Sequence, residues 1–237
     1  MNSLAVLLLA SSALAFELPV AMHVQRPVPW EHHVEIDADG TLRLDGTTAQ
    51  QPPAMVELHL AADTDARWGR VWEVLYQAAP RDDVLRVHAQ TVDGVGAEGE
   101  LPLTVVDMPP SPAPPPPPPG ATVADAPPAG ALTPRQQATL ALLGGSSDST
   151  GYHDALFVAV YLDGGLALNS RAFATGEALE AAVGQRLRVL TSNNVILEAH
   201  PGVDWGRVVA VADGMCGLGA RVLLVETEPE GPRPPRL

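Results

Sequence analysis

The chain has 237 residues, 46% of them apolar, with a formal net charge of −14 and a pI near 4.7. That apolar share supports a packed core and excludes global disorder, and with aromatics at 4% the core must be filled by Val, Leu and Ala. The acidic balance excludes nucleic acid and anionic lipid as partners, and a single cysteine, Cys216, can build neither an intramolecular disulfide nor a cysteine-based zinc site.

The chain opens MNSLAVLLLASSALAFELP. Leu4 to Ala15 is apolar or small throughout and ends in Ala13-Leu14-Ala15, the small-x-small pattern of a signal-peptidase site. It is shorter than the roughly 20 residues that cross a bilayer. Residues 1–15 are read as a signal peptide, with a short membrane anchor as the alternative. Both addresses put the remainder outside the cytoplasm.

Residues 16–106 form an upstream segment. VEIDADGTLRLDG (34–46) reads as a hairpin turning at Asp39-Gly40. LHLAADTDARWGRVWEVL (58–75) reads as a strand and then a helix, and VLRVHA (84–89) as a further strand. Composition then breaks at MPPSPAPPPPPPGATVADAPPAG (108–130), where missing amide donors rule out a ladder and favour an extended spacer. Residues 107–150 are taken as a Pro-rich linker with a short helix over 133–145, capped by Thr133 and stopped at Gly144-Gly145.

The downstream segment is 151–229, followed by a tail, 230–237. ALFVAVYLDGG and LALNS read as a hairpin turning at Asp163-Gly164. In residues 175–190, Leu179, Val183, Leu187 and Leu190 form one helical stripe. NVILEA is a strand, and DWGRVVAVADGMCG a helix burying Val208, Val211, Ala212, Met215 and Cys216. ARVLLVETE is the last strand. The fold class is α+β: two small domains, each a mixed β-sheet with one or two helices on one face, in the order β-β-α-β-α-β, joined by the Pro-rich linker.

The two segments repeat one another. Asp39-Gly40 aligns with Asp163-Gly164 at an offset of 124, and WGRV at Trp68 aligns with WGRV at Trp205 at an offset of 137. The upstream copy has lost 13 residues at the place of the first helix, where TTAQQPPA stands. Part of its sheet face is expected to lie uncovered, as a contact surface. Trp68 and Trp205 are expected to pack each helix start onto its own preceding strand, with Gly69 and Gly206 allowing the close approach.

The downstream segment resembles the periplasmic domain of the ExbD/TolR family. The resemblance rests on Asp163-Gly164 with the following Leu-Ala-Leu-Asn169, the helix from Thr175, and the strand leading into Trp205-Gly206. His200 stands where the family commonly has aspartate, and the upstream copy, degenerate in lacking the first helix, keeps that aspartate as Asp63. Leu18-Pro19 resembles the Leu-Pro segment after the family's membrane helix. The resemblance implies a periplasmic component of a proton-motive-force-driven envelope transport or energy-transduction system. Its partners would be an ExbB/TolQ-like channel protein and a TonB/TolA-like transducer, with peptidoglycan a further ligand and a dimer, or an intramolecular pseudo-dimer, as its assembly. The family's membrane helix carries a proton-relay aspartate, and Leu4 to Ala15 has no titratable residue. The alternative is a free periplasmic peptidoglycan- or protein-binding module on the same fold.

No enzyme signature is present, and no catalytic residue, cofactor or metal site is assigned. Adjacent His32 and His33 point to opposite faces of a strand and cannot easily share one ion, and His59 and His88 lack a third ligand. Asp37, Asp39, Asp63 and Asp65 read as solvated turn carboxylates. Arg70 and Arg207 sit in first helical turns, where a cation is disfavoured by a few tenths of a kcal/mol. They are expected to find partners, either a local carboxylate such as Asp204 or an external anion, with the local salt bridge preferred.

Overall fold

The computed structural model describes residues 16–25, 33–51, 58–78, 84–91, 98–105, 132, 136–137, 140 and 155–225. The signal or anchor segment, the proline run and the C-terminal tail lie outside the described residues. The elements are β1 (Val20–Ala21), β2 (Val34–Ile36), β3 (Leu42–Leu44), β4 (Thr47–Thr48), β5 (Leu58–Ala62), α1 (Trp68–Ala78), β6 (Val84–Thr91) and β7 (Glu98–Val105). After them come β8 (Leu156–Val160), β9 (Leu166–Leu168), β10 (Arg171–Phe173), α2 (Gly176–Leu187), β11 (Asn194–Ala199), α3 (Trp205–Gly217) and β12 (Arg221–Val225). The architecture is α+β, a large mixed sheet carrying helices. Among the described residues no helix is long and apolar enough to cross a membrane.

The strand order makes the duplication visible. Along the sheet it runs β10-β9-β8-β11-β12-β7-β6-β5-β2-β3-β4, with β1 beside β6. Read inward from either end, both halves have the same sequence: a two-strand meander, the first hairpin strand, a parallel strand, and a second parallel strand. β2, β3, β5 and β6 thus correspond to β8, β9, β11 and β12, and α1 to α3. The two segments share one sheet, because β7 pairs antiparallel with β6 and parallel with β12. The β7–β12 ladder is short, with register only at Leu223↔Thr104 and Leu224↔Val105.

β8 and β11 are buried along their whole length, which explains their continuous apolar runs. Alternate residues divide between two cores. Leu156, Val158, Val195, Leu197, Val222 and Leu224 face the helices, and Phe157, Ile196, Leu223 and Val225 face Leu132 and Leu140 on the other side. Full burial of each such side chain is worth about 1.5–3 kcal/mol. Gln136, Gln137 and Leu140 have helical backbone, and the rest of the helix read over 133–145 lies outside the described residues.

α2 begins at Thr175, whose hydroxyl accepts Ala178 N–H at 3.2 Å. Leu179 and Val183 are buried; Leu187 and Leu190 pack against the same core from its margin. α3 ends with Gly219 at φ +79, where Gly219 N–H reaches Cys216 O at 2.9 Å and Ala220 N–H reaches Met215 O at 3.1 Å. Gly219 therefore stops the helix, while Gly214 and Gly217 lie within it. On the upstream face expected to be partly bare, Val34, Ile36, Leu42 and Leu60 are buried, while Leu44 and Ala49, beside the place of the lost helix, are only half-buried against them. β4, whose two residues are exposed, turns the chain back beside β3 there.

Candidate functional site

The two WGRV phrases meet each other. The Trp68 and Trp205 rings stack with centroids 5.5 Å apart and planes 5° from parallel, both fully buried. The stack joins the two helix starts to each other, a contact between copies that lies beyond the expected packing of each indole on its own preceding strand. A helix start leaves amides without intrahelical acceptors, and here each copy supplies them to the other. Trp68 N–H donates to Val203 O at 2.8 Å and Gly69 N–H to Pro201 O at 2.8 Å. At the equivalent positions, Trp205 N–H donates to Ala66 O at 2.7 Å and Gly206 N–H to Thr64 O at 2.9 Å. The four bonds form two symmetric pairs about a local pseudo-two-fold axis.

The glycines of the phrase serve this contact. A Cβ on Gly69 would lie 2.9 Å from Pro201 Cβ, and one on Gly206 would overlap Thr64 Oγ1 and lie 3.1 Å from Thr64 O. The close approach is between copies, not within one. Asp204 caps α3 in position but makes no side-chain cap bond. Its carboxylate is taken by Arg67, Nη1 to Oδ1 at 2.5 Å.

The arginines of the phrase hold the hairpin turns. Arg70 Nε donates to Gly40 O at 2.9 Å, and Arg207 Nη2 to Gly164 O at 3.4 Å. Arg70 also pairs with Glu73 at 2.7 Å. Arg207 does not pair with Asp204, because that carboxylate faces the other copy. Gly40 and Gly164 adopt φ +84 and +78, which only glycine accepts easily. Asp39 Oδ1 accepts Thr41 N–H at 2.9 Å, and Asp163 Oδ1 accepts Gly165 N–H at 3.0 Å. The Thr41 bonds hold the Asp39 carboxyl below its usual range.

Asp63 and His200 also correspond. Asp63 Oδ1 accepts Asp65 N–H at 2.9 Å, and His200 Nδ1 accepts Gly202 N–H at 3.0 Å. The histidine keeps the turn-forming acceptor, which requires Nδ1 to be unprotonated. It lacks the second oxygen with which Asp63 accepts Glu17 N–H at 2.8 Å.

That second bond belongs to a strap, residues 16–25, which sequence reasoning missed. Leu18 and Pro19 are buried in it, and Ala21 is 1% exposed. Asp213 of α3 accepts Met22 N–H at 2.8 Å and His23 N–H at 2.7 Å, and His23 Nδ1 lies 3.2 Å from the same carboxylate. Gly99 lies beneath Val24 and Gly217 beneath the His23 ring, each too close to admit a Cβ. A carboxylate inside the apolar run VVAVADGMCG was the available signal, since a buried charge requires donors.

Several other charged groups are held in pairs. Arg43 donates to Asp37 from Nε at 3.0 Å and Nη2 at 2.8 Å, which raises the guanidinium further. His59 Nδ1 lies 3.2 Å from buried Glu100, and Arg86 lies 3.6 Å from the other oxygen of Glu100. The side chain of His88 lies outside the described residues. Burial, reinforced by Asp213, pushes the Cys216 thiol up to about 11. Among the described residues no three His, Cys, Asp or Glu side chains gather as metal ligands. What these residues can do together is bind, brace and position one another. No known protein-family model matches the chain, and comparison with curated proteins finds no significant match.

Proposed function

We propose that the chain is an ExbD/TolR-like periplasmic component of a proton-motive-force-driven envelope system, acting by protein–protein contact and without a proton relay of its own. The observation that carries this reading is the doubled β-β-β-(α)-β-α-β plan, in which both copies place an Asp-Gly hairpin turn under an arginine of the helix that follows the next strand. The two copies act as an intramolecular pseudo-dimer: the WGRV clasp occupies the place of a subunit interface. They are two units joined by the Pro-rich segment 107–150, secreted across the inner membrane or tethered to its outer face through residues 1–15.

Co-purification from membranes tests the reading. An ExbB/TolQ-like channel protein or a TonB/TolA-like transducer is expected with the full chain. The lack of a titratable residue between Leu4 and Ala15 favours a second reading, a free peptidoglycan- or protein-binding module. A fully soluble protein that sediments with cell wall alone would select that one.

A further inference from the structure

We propose that the cleft between the β9–β10 hairpin and α2 binds a carboxylate group. A cavity of about 140 Å³ opens there, with Asn169, Arg171, Gln185 and Arg186 among its walls and Phe173 and Ala182 supplying apolar surface. The described arginines elsewhere are largely engaged: Arg43 with Asp37, Arg67 with Asp204, Arg70 with Glu73 and Arg86 with Glu100. Among the described residues no carboxylate pairs with Arg171 or Arg186. Two cations thus share one small concavity in a chain of net charge −14. Arg171 is held in place by its guanidinium lying over the Phe173 ring, 5.3 Å from the centroid. Arg186 projects from the last turn of α2, where the helix dipole favours a cation.

The duplication supplies an internal control. Asn169 corresponds to Asp45; the two have φ +53 and +50. Both do the same structural work: Asn169 Oδ1 accepts Phe157 N–H at 3.1 Å, and Asp45 Oδ1 accepts His33 N–H at 2.8 Å. Aspartate serves that role as well as asparagine, so the backbone does not require the amide. The amide does remove a negative charge beside Arg171. In the upstream copy Thr47 stands for Arg171 and Ala49 for Phe173, and the segment equivalent to α2, with Arg186, is missing. The cations, the aromatic support, the helix and the neutral Asn169 therefore occur together or not at all. A carboxylate suits the site better than phosphate, because the volume is small and part of the lining is apolar.

The test is titration of the full mature chain with N-acetylalanine, a carboxylate beside one methyl group, followed by NMR of ¹⁵N-labelled arginine side chains. Saturable shifts are expected at Arg171 and Arg186. Arg171→Gln and Arg186→Gln should each weaken binding about tenfold, the usual loss for a charge-assisted hydrogen bond. Arg188→Gln, one turn-residue beyond the cavity, should leave it unchanged. Asn169→Asp should abolish binding while keeping the Phe157 bond, as Asp45 does upstream. Absence of saturable binding would overturn the proposal, as would binding indifferent to Arg171→Gln and Asn169→Asp, or inorganic phosphate binding more tightly than N-acetylalanine.

Discussion

Arg67 and Asp204 occupy the same position in the two copies, and they form an ion pair with each other. A true two-fold between identical copies would set Arg against Arg or Asp against Asp at this point. Opposite charges at one repeat position are a device available only to a fused pair, and they favour the mixed pairing over self-pairing. Both side chains are more than half exposed, so the expected effect is small. Arg67→Asp and Asp204→Arg should each cost about 0.5–1 kcal/mol. The double swap should recover most of that loss in urea denaturation.

Gly69 and Gly206 should resist alanine. In a helix interior Gly→Ala gains up to about 1 kcal/mol. Here the added methyl meets Pro201 or Thr64 of the other copy, and overpacking costs about 1–3 kcal/mol. The clash should win, giving net destabilisation in both variants. Gly176→Ala is the matched comparison: its Cβ meets nothing within 4 Å, so it should be neutral or stabilising.

The strap should be separable from the turn it decorates. Asp63→His copies the downstream residue, keeping an acceptor for Asp65 N–H and losing the one for Glu17 N–H. Limited proteolysis is expected to nick residues 16–25 faster in this variant while the sheet stays folded. His200→Asp, the reverse change, should be tolerated. Asp213→Ala removes the acceptor of two amides and should cost about 1–3 kcal/mol.

Cys216 should be slow to react. Its thiol is raised from 9.0 to about 11 by burial and by Asp213. A disulfide reagent at pH 8 should therefore label the native chain far more slowly than the urea-unfolded one. Between pH 9 and 11 the unfolded thiol ionises and the folded one does not, so unfolding releases a proton. Stability is expected to fall as pH rises through that window, and Cys216→Ala should flatten the dependence.

Much of the local plan was written in the residues. Period and turn chemistry located the Asp-Gly hairpins, α2 from Thr175 and α3 from Trp205, and the recurrence of WGRV exposed the duplication. Three features escaped because their cause is non-local. β7 carries Pro102 and its strand signal is weak, yet it joins both halves of the sheet. The strap is fixed by Asp63 and Asp213, the latter 190 and 191 residues from the amides it holds. WGRV itself signalled a repeated element, but nothing within either copy says that Trp68 must face Trp205. That contact exists only once both copies are folded and joined.

Amide hydrogen exchange at Trp68, Gly69, Trp205 and Gly206 tests the clasp most directly. These amides lie in first helical turns, where an isolated copy offers them no acceptor and exchange would be fast. Donation to Val203, Pro201, Ala66 and Thr64 should protect all four, to a degree approaching the amides of β8 and β11. Rapid exchange of the four, with β8 and β11 still protected, would mean that the two copies fold without clasping.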